Sequence, residues 1–574
     1  MKKSLWLFLF FIAALYVLPA VFRPLAAPDE FRLAEIAREM AEQGDFVTPH
    51  ALGVRYFKEP PMAFWLTAAS FKLFGENAFA LRLVSVLSVL GSAFLLGLWC
   101  RKRNYSAETA LNAAFLYLSG LVVWLAGNFA ASDALFGFWT TAALVFFALA
   151  AESTSFKGRL LWLSGAGIVL AGGFLTKGLW AFLLPAVTLI PYLLWQKKWK
   201  MLAFLPWLPL AAALVLIAPW GVAIHKAEPE FWHVFLVHEQ LKSCSIASLK
   251  QDFTPFWLLL PCFVLGLFPA VFPVLTSLSE IRKEHWPDIR KAPEFRYALC
   301  GMLLPLLVLV LAANKHPFVL LPCFASAAML GAVLMDKADP ERNWAKLRRL
   351  TLVTSVIFII LGSAILFAGL FYLLWGTGFI PSLPLKFAIW APFMTTAALG
   401  FVIAGTGHFI YRRNKLSEPG SYFSLYAVIP AICVWFFPGL TVSQKMPEYE
   451  LLHIASQLSA EKIRHPRIVA VPHLMYPAAW CFKDSSVQVI ASAGELEYGH
   501  KYAVTRGERP LLLQYDELQI LLRNPKRKGG ILLLCSTKNI SEFEKVLPAG
   551  RLFSTMGEIC GIYFQGLEEK KAKK

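Results

Sequence analysis

The ionisable residues that could do chemistry lie at the ends of long apolar segments. Asp29 follows the first apolar run, Asp133 opens a later one, and Lys177 stands in the short turn TKG between two others. Charged groups at membrane depth are costly, so they mark function by default. A carboxylate can position or deprotonate an attacking group, and cations can stabilise a leaving phosphate. We therefore predict that these residues belong to a functional site at one membrane surface, with Asp29 as the candidate reacting carboxylate and Asp133 as its acidic partner.

A set of basic residues could hold such a phosphate. Each also has a simpler interpretation, because a long basic side chain can snorkel to the membrane interface. For Arg55 and Lys242, phosphate binding and snorkelling are equally favoured. The tight turn around Lys177 favours phosphate binding. The full set is Arg32, Arg55, Lys58, Lys177, Lys242 and Lys315.

Asp29 has a second interpretation as a helix cap. It follows Pro28 and begins the helical stretch DEFRLAEIAREM. Asp is favoured at the start of a helix because it can accept from free backbone N–H groups and interact with the helix dipole. The spacing of residues in this helix gives a surface stripe and a buried stripe, at Glu30, Ala34, Ala37 and Met40.

The elements that must position these residues are membrane spans. The chain has 574 residues, of which 57% are hydrophobic and 16% charged, with a mean hydropathy of +0.56. A soluble domain is usually about a quarter charged. The net charge of +18 fits basic cytoplasmic loops better than nucleic-acid binding. Thirteen apolar runs are predicted as spans, namely 4–22, 78–99, 107–127, 133–151, 160–176, 178–196, 201–224, 255–277, 297–313, 316–335, 350–375, 385–410 and 420–440.

The charges of the loops predict which side of the membrane each loop occupies. Alternate loops are basic, from Lys2 and Lys3 onwards, and the short loops between them hold few cations. Cytoplasmic loops carry the excess of Lys and Arg. We therefore expect a cytoplasmic N-terminus with an uncleaved first helix, and a periplasmic C-terminus. The polar segments 23–77, 225–254 and 441–574 then lie outside, in a bacterial inner-membrane protein.

The sequence divides into a transmembrane domain, 1–440, with the external loop 23–77, and a periplasmic domain, 441–574. The second domain contains the strand-like runs RIVAVP, GGILLLCS and GIYF between helical stretches, which predicts a small α/β fold. The expected fold is thus an α-helical integral membrane protein with a small C-terminal α/β domain. A disulfide from Cys481 to Cys535 or Cys560 is an open expectation in an oxidising compartment.

Three segments resemble a known family. The loop PDEFRLAEIAREMAEQGDFVTPHALGVRYFKEPP, the segment FLTKGLWAFLLPAV and the segment NKHPFVLLPCFASAAML resemble polytopic glycosyltransferases of the GT-C type. The resemblance is closer to the bacterial lipid A 4-amino-4-deoxy-L-arabinose transferase family, near the protein O-mannosyltransferases. It implies transfer of a sugar, 4-amino-4-deoxy-L-arabinose or a related aminosugar or hexose, from a polyprenyl phosphate to lipid A or another envelope acceptor, without a nucleotide.

The resemblance also implies roles for particular residues. It assigns the essential acidic position to Asp29 and a second one to Asp133, and it matches Lys177 and Lys315 to cations near the donor phosphate. Glu59, His238 and Glu239 fall near positions linked to metal binding, so a divalent metal ion is expected. This chain has Lys58-Glu59 where the family often has Glu-Lys, and Leu33 where it has Tyr.

Two other functions remain open. A protein O-mannosyltransferase-like enzyme would share the spans and the first loop. A flippase or transporter for lipid-linked sugars would instead place charges at mid-membrane, with internal repeats. The charges of this chain gather at one face, and no inverted repeat is visible, which favours the enzyme.

Overall fold

The computed structural model describes residues 16–241 except 18 and 22, 256–338 except 269, 282 and 313–315, single positions between 346 and 371, and 447–566 apart from 464–465, 525–528, 541–542, 544, 546 and 555–556. The chain divides into two compact units. A helical unit comprises Met1–Phe22, Arg82–Lys226 and Trp232–Ser443, and a mixed unit comprises Arg23–Leu81, Ala227–Phe231 and Gln444–Lys574. The first polar loop therefore folds in the same unit as the C-terminal segment.

The described part of the helical unit consists mainly of apolar helices. In the described part of the chain, six helices are long and apolar enough to cross a membrane, or eight if each of two bent pairs is one span. The helices are Ala78–Lys102 (in this unit from Arg82), Ala107–Leu118, Leu121–Asn128, Ser132–Glu152, Phe156–Lys177, Trp180–Trp195, Trp199–Phe204, Trp207–Ala227, Phe231–His233, Leu259–Gly266, Val271–Glu280, Trp286–Lys291, Pro293–Leu311 and Leu321–Lys337, with a π-helix Val234–Leu241 and 3₁₀ turns Phe256–Leu258, Lys283–His285 and Pro317–Leu320.

Two predicted spans are broken helices. The run 107–127 forms Ala107–Leu118 and Leu121–Asn128, which meet at 69°. The run 255–277 forms Leu259–Gly266 and Val271–Glu280, which meet at 79°. Apolar composition alone cannot reveal such bends. The predicted spans 385–410 and 420–440, and most of 4–22 and 350–375, lie outside the described residues.

Small residues allow the central helices to pack closely. The helices Ser132–Glu152 and Phe156–Lys177 run antiparallel, joined by only three residues. A side chain added at Gly172 would come within 2.7 Å of the Trp139 ring, and one at Gly173 within 2.8 Å of Ala181. Membrane helices associate through such small residues because lipid supplies no hydrophobic drive between them. This packing brings the start of the first helix beside the end of the second.

The mixed unit contains a six-stranded sheet with the strand order β5-β4-β3-β6-β8-β7. The pairs among β5, β4, β3 and β6 are parallel, whereas β8 pairs antiparallel with β6 and with β7. The strands are β3 Arg467–Ala470, β4 Gln488–Ile490, β5 Leu512–Leu513, β6 Ile531–Ser536, β7 Arg551–Ser554 and β8 Ile559–Phe564. Three of them coincide with the runs that the sequence predicts as strands.

Helices and one hairpin complete this unit. The strands β6 and β8 are buried almost throughout, as expected for a sheet covered on both faces. The first loop adds a hairpin of β1 His50–Ala51 and β2 Val54–Arg55. The helices are Asp29–Gln43, Met62–Phe74, Pro447–Ala460, Met475–Phe482, Glu497–Thr505 and Tyr515–Arg523, with 3₁₀ turns Pro472–Leu474, Gly494–Leu496 and Thr537–Asn539.

Two cysteines of the sheet face each other. Cys535 of β6 lies directly opposite Cys560 of β8, and their sulfur atoms are 3.4 Å apart. Both are buried, whereas Cys481 lies half-buried on the helix Met475–Phe482. The geometry therefore favours pairing of Cys535 with Cys560 over either pairing of Cys481 that the sequence left open.

Candidate functional site

Asp29 is the first residue of the helix Asp29–Gln43 and does not cap it. Pro28 occupies the N-cap position, without a side-chain cap hydrogen bond. The carboxylate of Asp29 instead forms an ion pair with Arg32, one turn further on, at 2.9 Å, and its side chain is 47% exposed. Asp29 can thus face solvent or a ligand while Arg32 restrains its orientation.

Glu30, the next residue, is held in the interior. It is buried and accepts two hydrogen bonds from Arg23, each of 2.9 Å, and one from the backbone N–H of Ala26 at 2.7 Å. Its carboxylate oxygens therefore accept hydrogen bonds from Arg23 and from the backbone of Ala26. Of the two adjacent acids, the structure leaves Asp29 as the exposed one.

The basic residues of the first loop converge on an acid from the C-terminal segment. Arg32 donates to both carboxylate oxygens of Glu495, at 3.1 and 3.2 Å, and Lys58 lies 3.0 Å from one of them. The buried Tyr476 donates its hydroxyl to the same carboxylate at 2.8 Å. Burial acts to raise the pKa of Glu495, but Arg32 and Lys58 outweigh burial and lower that pKa below its ordinary value.

Arg55, by contrast, belongs to a cluster of ion pairs within the mixed unit. Its guanidinium contacts Glu228 and Glu508, each at 2.5 Å, and lies over the ring of Tyr502. Arg506 also approaches Glu228, at 3.3 Å. These contacts tie three distant chain segments together, which favours the structural interpretation of Arg55 over a role in binding phosphate.

A buried network inside the helix Asp29–Gln43 orients the hairpin that precedes Lys58. Arg38 donates to Glu35 and to the half-exposed Glu42, and Glu35, Arg38 and Glu39 are almost inaccessible. Glu39 accepts from the backbone N–H of Gly53, at 3.2 and 3.3 Å. Burial raises the pKa of both Glu35 and Glu39. The network joins the helix that carries Asp29 to the strands that lead to Lys58.

In the helical unit, Asp133 and Lys177 form an ion pair. Their side chains approach to 3.4 Å and are largely buried. Asp133 lies in the first turn of Ser132–Glu152, and Lys177 is the last residue of the antiparallel Phe156–Lys177. The two residues thus lie at the same end of these two helices.

The turn after Lys177 is fixed from the π-helix. Gly178 adopts a positive φ of 67°, which favours glycine because it has no Cβ. Gln240, on the π-helix Val234–Leu241, accepts from the backbone N–H of Leu179 at 3.0 Å. The π-helix therefore contacts this turn, a relation that no local sequence pattern indicates.

The predicted metal ligands belong to different units. Glu59 lies in the mixed unit, whereas His238 and Glu239 lie on the π-helix of the helical unit. The ring of His238 contacts that of His233, with centroids 5.3 Å apart. Among the described residues, no group of three or more His, Cys, Asp or Glu side chains is placed to hold a metal ion. The predicted phosphate ligands Lys242 and Lys315 lie outside the described residues.

Known proteins match both the sequence and the fold. The family model of dolichyl-phosphate-mannose-protein mannosyltransferases matches residues 2–235. The undecaprenyl phosphate-α-4-amino-4-deoxy-L-arabinose arabinosyl transferase of Aeromonas salmonicida is 32% identical over 96% of this chain and 97% of its own. The chain belongs to this arabinosyl transferase family. A relative in Pectobacterium carotovorum, with the same description, is also 32% identical, over 96% of this chain and 95% of its own.

The fold of this arabinosyl transferase family member matches a solved structure. The crystal structure of ArnT from Cupriavidus metallidurans bound to undecaprenyl phosphate aligns with a TM-score of 0.80 at 19% identity and covers 98% of both chains. The GT-C resemblance that the first loop indicated is thereby confirmed. The chain is a glycosyltransferase and a multi-pass, mainly helical membrane protein.

Sequence reasoning missed Glu495 and Tyr476. They lie in the C-terminal segment, more than 400 residues from Arg32 and Lys58, and the sequence predicted no part in the site for that segment. The spacing of charges within the first loop carries no information about an acid so far along the chain. No sequence pattern therefore indicated Glu495.

Proposed function

We propose that this enzyme transfers 4-amino-4-deoxy-L-arabinose from undecaprenyl phosphate to lipid A at the periplasmic face of the inner membrane. The observation that carries the proposal is the identity of 32%, over nearly the whole chain, to a protein named for that donor. The ArnT whose crystal structure aligns with this fold holds undecaprenyl phosphate, the lipid carrier of the proposed donor. Lipid A is the acceptor that the resemblance of the first loop implies.

The proposed reaction is a displacement at the anomeric carbon. The bond from that carbon to the donor phosphate oxygen breaks, and a bond to an acceptor oxygen forms. Asp29 positions the acceptor and takes its proton, since its carboxylate is exposed and restrained by Arg32. The leaving undecaprenyl phosphate keeps the bonding electrons. Arg32, Lys58, Lys177 and Lys315 supply the positive charge that stabilises it.

Asp133 is proposed to set the position of Lys177. Its carboxylate is 3.4 Å from the ammonium group of Lys177, and neither side chain is more than 20% exposed. Because burying a charge without a partner is costly, Asp133 holds the ammonium group of Lys177 in place. The divalent metal ion implied by the resemblance stays a prediction, tested by activity after chelation with EDTA and after readdition of Mg²⁺, Mn²⁺ or Zn²⁺.

The proposed topology has thirteen spans, a cytoplasmic N-terminus and a periplasmic C-terminus. The alternation of basic and bare loops supports it. The proposed domains are a transmembrane domain, 1–440, and a periplasmic domain, 441–574. A reporter that is active only in the cytoplasm, fused after Lys574, should be silent. An active fusion would overturn this topology.

The function is tested by mass spectrometry of lipid A from cells with and without the gene. Lipid A should carry an added aminoarabinose residue only when the gene is present. Purified enzyme in detergent should perform the same transfer from undecaprenyl phosphate-linked aminoarabinose without ATP or any nucleotide. Donor that crosses the membrane of sealed vesicles without any transfer would indicate a flippase instead.

A protein acceptor is the second candidate, because the family model that matches residues 2–235 describes protein mannosyltransferases. It predicts hexose on Ser or Thr of envelope proteins and unchanged lipid A. Glycopeptide analysis of the same pair of strains distinguishes the two acceptors.

A further inference from the structure

Glu495 is the point on which the proposed phosphate ligands of the first loop meet. It accepts from Arg32 through both carboxylate oxygens and from Lys58 through one, at 3.0 to 3.2 Å. Only 19% of its side chain is exposed, against 42% for Lys58. Glu495 is therefore the more buried member of this ion pair, and Lys58 contacts it from the more exposed side.

The surroundings of Glu495 explain why it is fixed. It lies in the 3₁₀ turn Gly494–Leu496, between the buried residues Ala493 and Leu496. Tyr476, only 2% exposed, donates to it from the helix Met475–Phe482 at 2.8 Å. An ionised carboxylate accepts several donors at once. Burial acts to raise the pKa of Glu495, but its cationic neighbours prevail and lower it.

Glu495 connects to the proposed reacting group through one residue. Arg32 uses its Nη1 on Glu495 and its Nη2 on Asp29, at 2.9 Å. A planar guanidinium held at one end presents its other N–H groups in a set direction. The chain of contacts Glu495–Arg32–Asp29 has the form of a reacting carboxylate oriented by a second group that a third group holds.

We propose that Glu495 is a positioning residue for sugar transfer, which holds Arg32 and Lys58 where they bind the donor phosphate and, through Arg32, orients Asp29. This inference rests on the proposed function. Lys58 and Arg32 each have further N–H groups, since an ammonium has three and a guanidinium five, so both can bind a phosphate without leaving Glu495. The C-terminal segment thereby contributes to the site of the first loop.

The test substitutes Glu495 by Gln and measures binding and catalysis separately. Glu495→Gln keeps the size and the acceptor for Tyr476 but removes the charge that holds both cations. We expect weaker binding of undecaprenyl phosphate and a KM for the lipid-linked donor raised by roughly tenfold or more, since small misplacements of positioning groups have effects of that order. The turnover number should fall as well, because Arg32 then orients Asp29 less well. Glu495→Asp, which keeps the charge, should recover part of the loss.

Two control variants separate positioning from general stability. Glu497→Gln removes a neighbouring charge whose partner is the exposed Lys501. Glu76→Gln breaks another tie between the first loop and the C-terminal segment, the ion pair of Glu76 with Lys483. Both should leave the donor KM within about twofold of the wild-type value, because exposed ion pairs contribute little.

A coupling measurement completes the test. If Glu495 acts through Arg32, the effects of Glu495→Gln and Arg32→Lys on donor KM should be less than additive, because both remove the same restraint. An unchanged donor KM in Glu495→Gln, or tighter binding of undecaprenyl phosphate, would overturn the inference; tighter binding would mean that Glu495 competes with the phosphate. If wild-type enzyme fails to transfer aminoarabinose, the proposed function fails, whereas the binding measurement with undecaprenyl phosphate still decides the role of Glu495.

Discussion

The carboxylate of Asp29 and the guanidinium of Arg32 lie 2.9 Å apart, one turn along the same helix. Asp29 begins that helix without capping it, because Pro28 occupies the cap position and forms no side-chain cap bond. The two interpretations that the sequence left for Asp29, cap and reacting carboxylate, are therefore no longer equal. The pairing leaves the acid exposed at the start of a buried helix.

Asp29→Asn should abolish most sugar transfer while leaving the fold intact. Asn keeps the size of the side chain but cannot take a proton from the acceptor. We expect transfer to fall by roughly 10²-fold or more, the scale of a lost general base. The transition temperature in detergent should change little, because an exposed ion pair contributes about 1 kcal/mol or less. Transfer at close to the wild-type rate would remove Asp29 from the mechanism.

Glu30→Gln is the contrast to that variant. Glu30 is buried with Arg23 and the N–H of Ala26, so loss of its charge removes a buried counter-ion of Arg23. Breaking a buried pair typically costs about 3 to 5 kcal/mol. We expect a lowered transition temperature, and a turnover per folded molecule much closer to that of the wild type than Asp29→Asn shows.

Lys177→Met should weaken transfer, since it removes a proposed phosphate ligand and leaves Asp133 without its partner. We expect kcat/KM for the donor to fall by about tenfold or more, the order of one lost charge-stabilising group. Lys198→Met is the matched control, because Lys198 pairs at 2.9 Å with Glu152, at the other end of the helix that Asp133 opens. Equal losses in both variants would show that Lys177 acts only on stability.

The stability of the first-loop helix should depend on the ionisation of Glu39. Burial and the charge of Glu35 raise the pKa of Glu39 above its ordinary value of 4.5, although Arg38 and the N–H groups of Leu52 and Gly53 oppose this. The folded state thus binds the proton more tightly than the unfolded chain. The stabilisation is complete below pH 4.5 and is lost as the pH rises through the raised pKa.

Glu39→Gln cannot ionise and still offers an oxygen to Gly53. We therefore expect it to gain in transition temperature relative to the wild type as the pH increases above the ordinary pKa of a glutamate. Thermal unfolding in detergent at several pH values measures this difference. Glu42→Gln, on the exposed side of the same network, should show no such gain. A difference for Glu39→Gln that does not vary with pH would contradict the assignment.

Cys535 and Cys560 should form a disulfide if the C-terminal segment is periplasmic. They face each other across β6 and β8 with their sulfur atoms 3.4 Å apart. Two thiols lose two protons and two electrons to a disulfide-carrying oxidoreductase, the class of oxidant in that compartment. Trypsin without reductant should release the peptide 529–538 joined to 552–570. Free thiols at both positions, or either of them joined to the Cys481 peptide, would contradict the prediction.

The sequence by itself determined the membrane class and the family. An apolar run long enough to cross a bilayer can be recognised without tertiary information. Each spanning helix must be long enough to cross the hydrocarbon core, and it forms its backbone hydrogen bonds within itself. The alternation of basic and bare loops is likewise visible in the sequence. The proximity of Asp133 and Lys177 also follows from the sequence. A short link between two antiparallel helices brings the start of one beside the end of the other, so sequence order already implied their proximity.

Only the tertiary structure decided which of the candidate residues contact one another. Arg32 and Arg55 look alike in the sequence, yet the first joins Asp29 to Glu495 and the second is held by Glu228 and Glu508. Ion pairs between segments hundreds of residues apart leave no periodicity or spacing in the chain. They arise when packing removes charges from water and each must find a partner, and that partner is set by the fold.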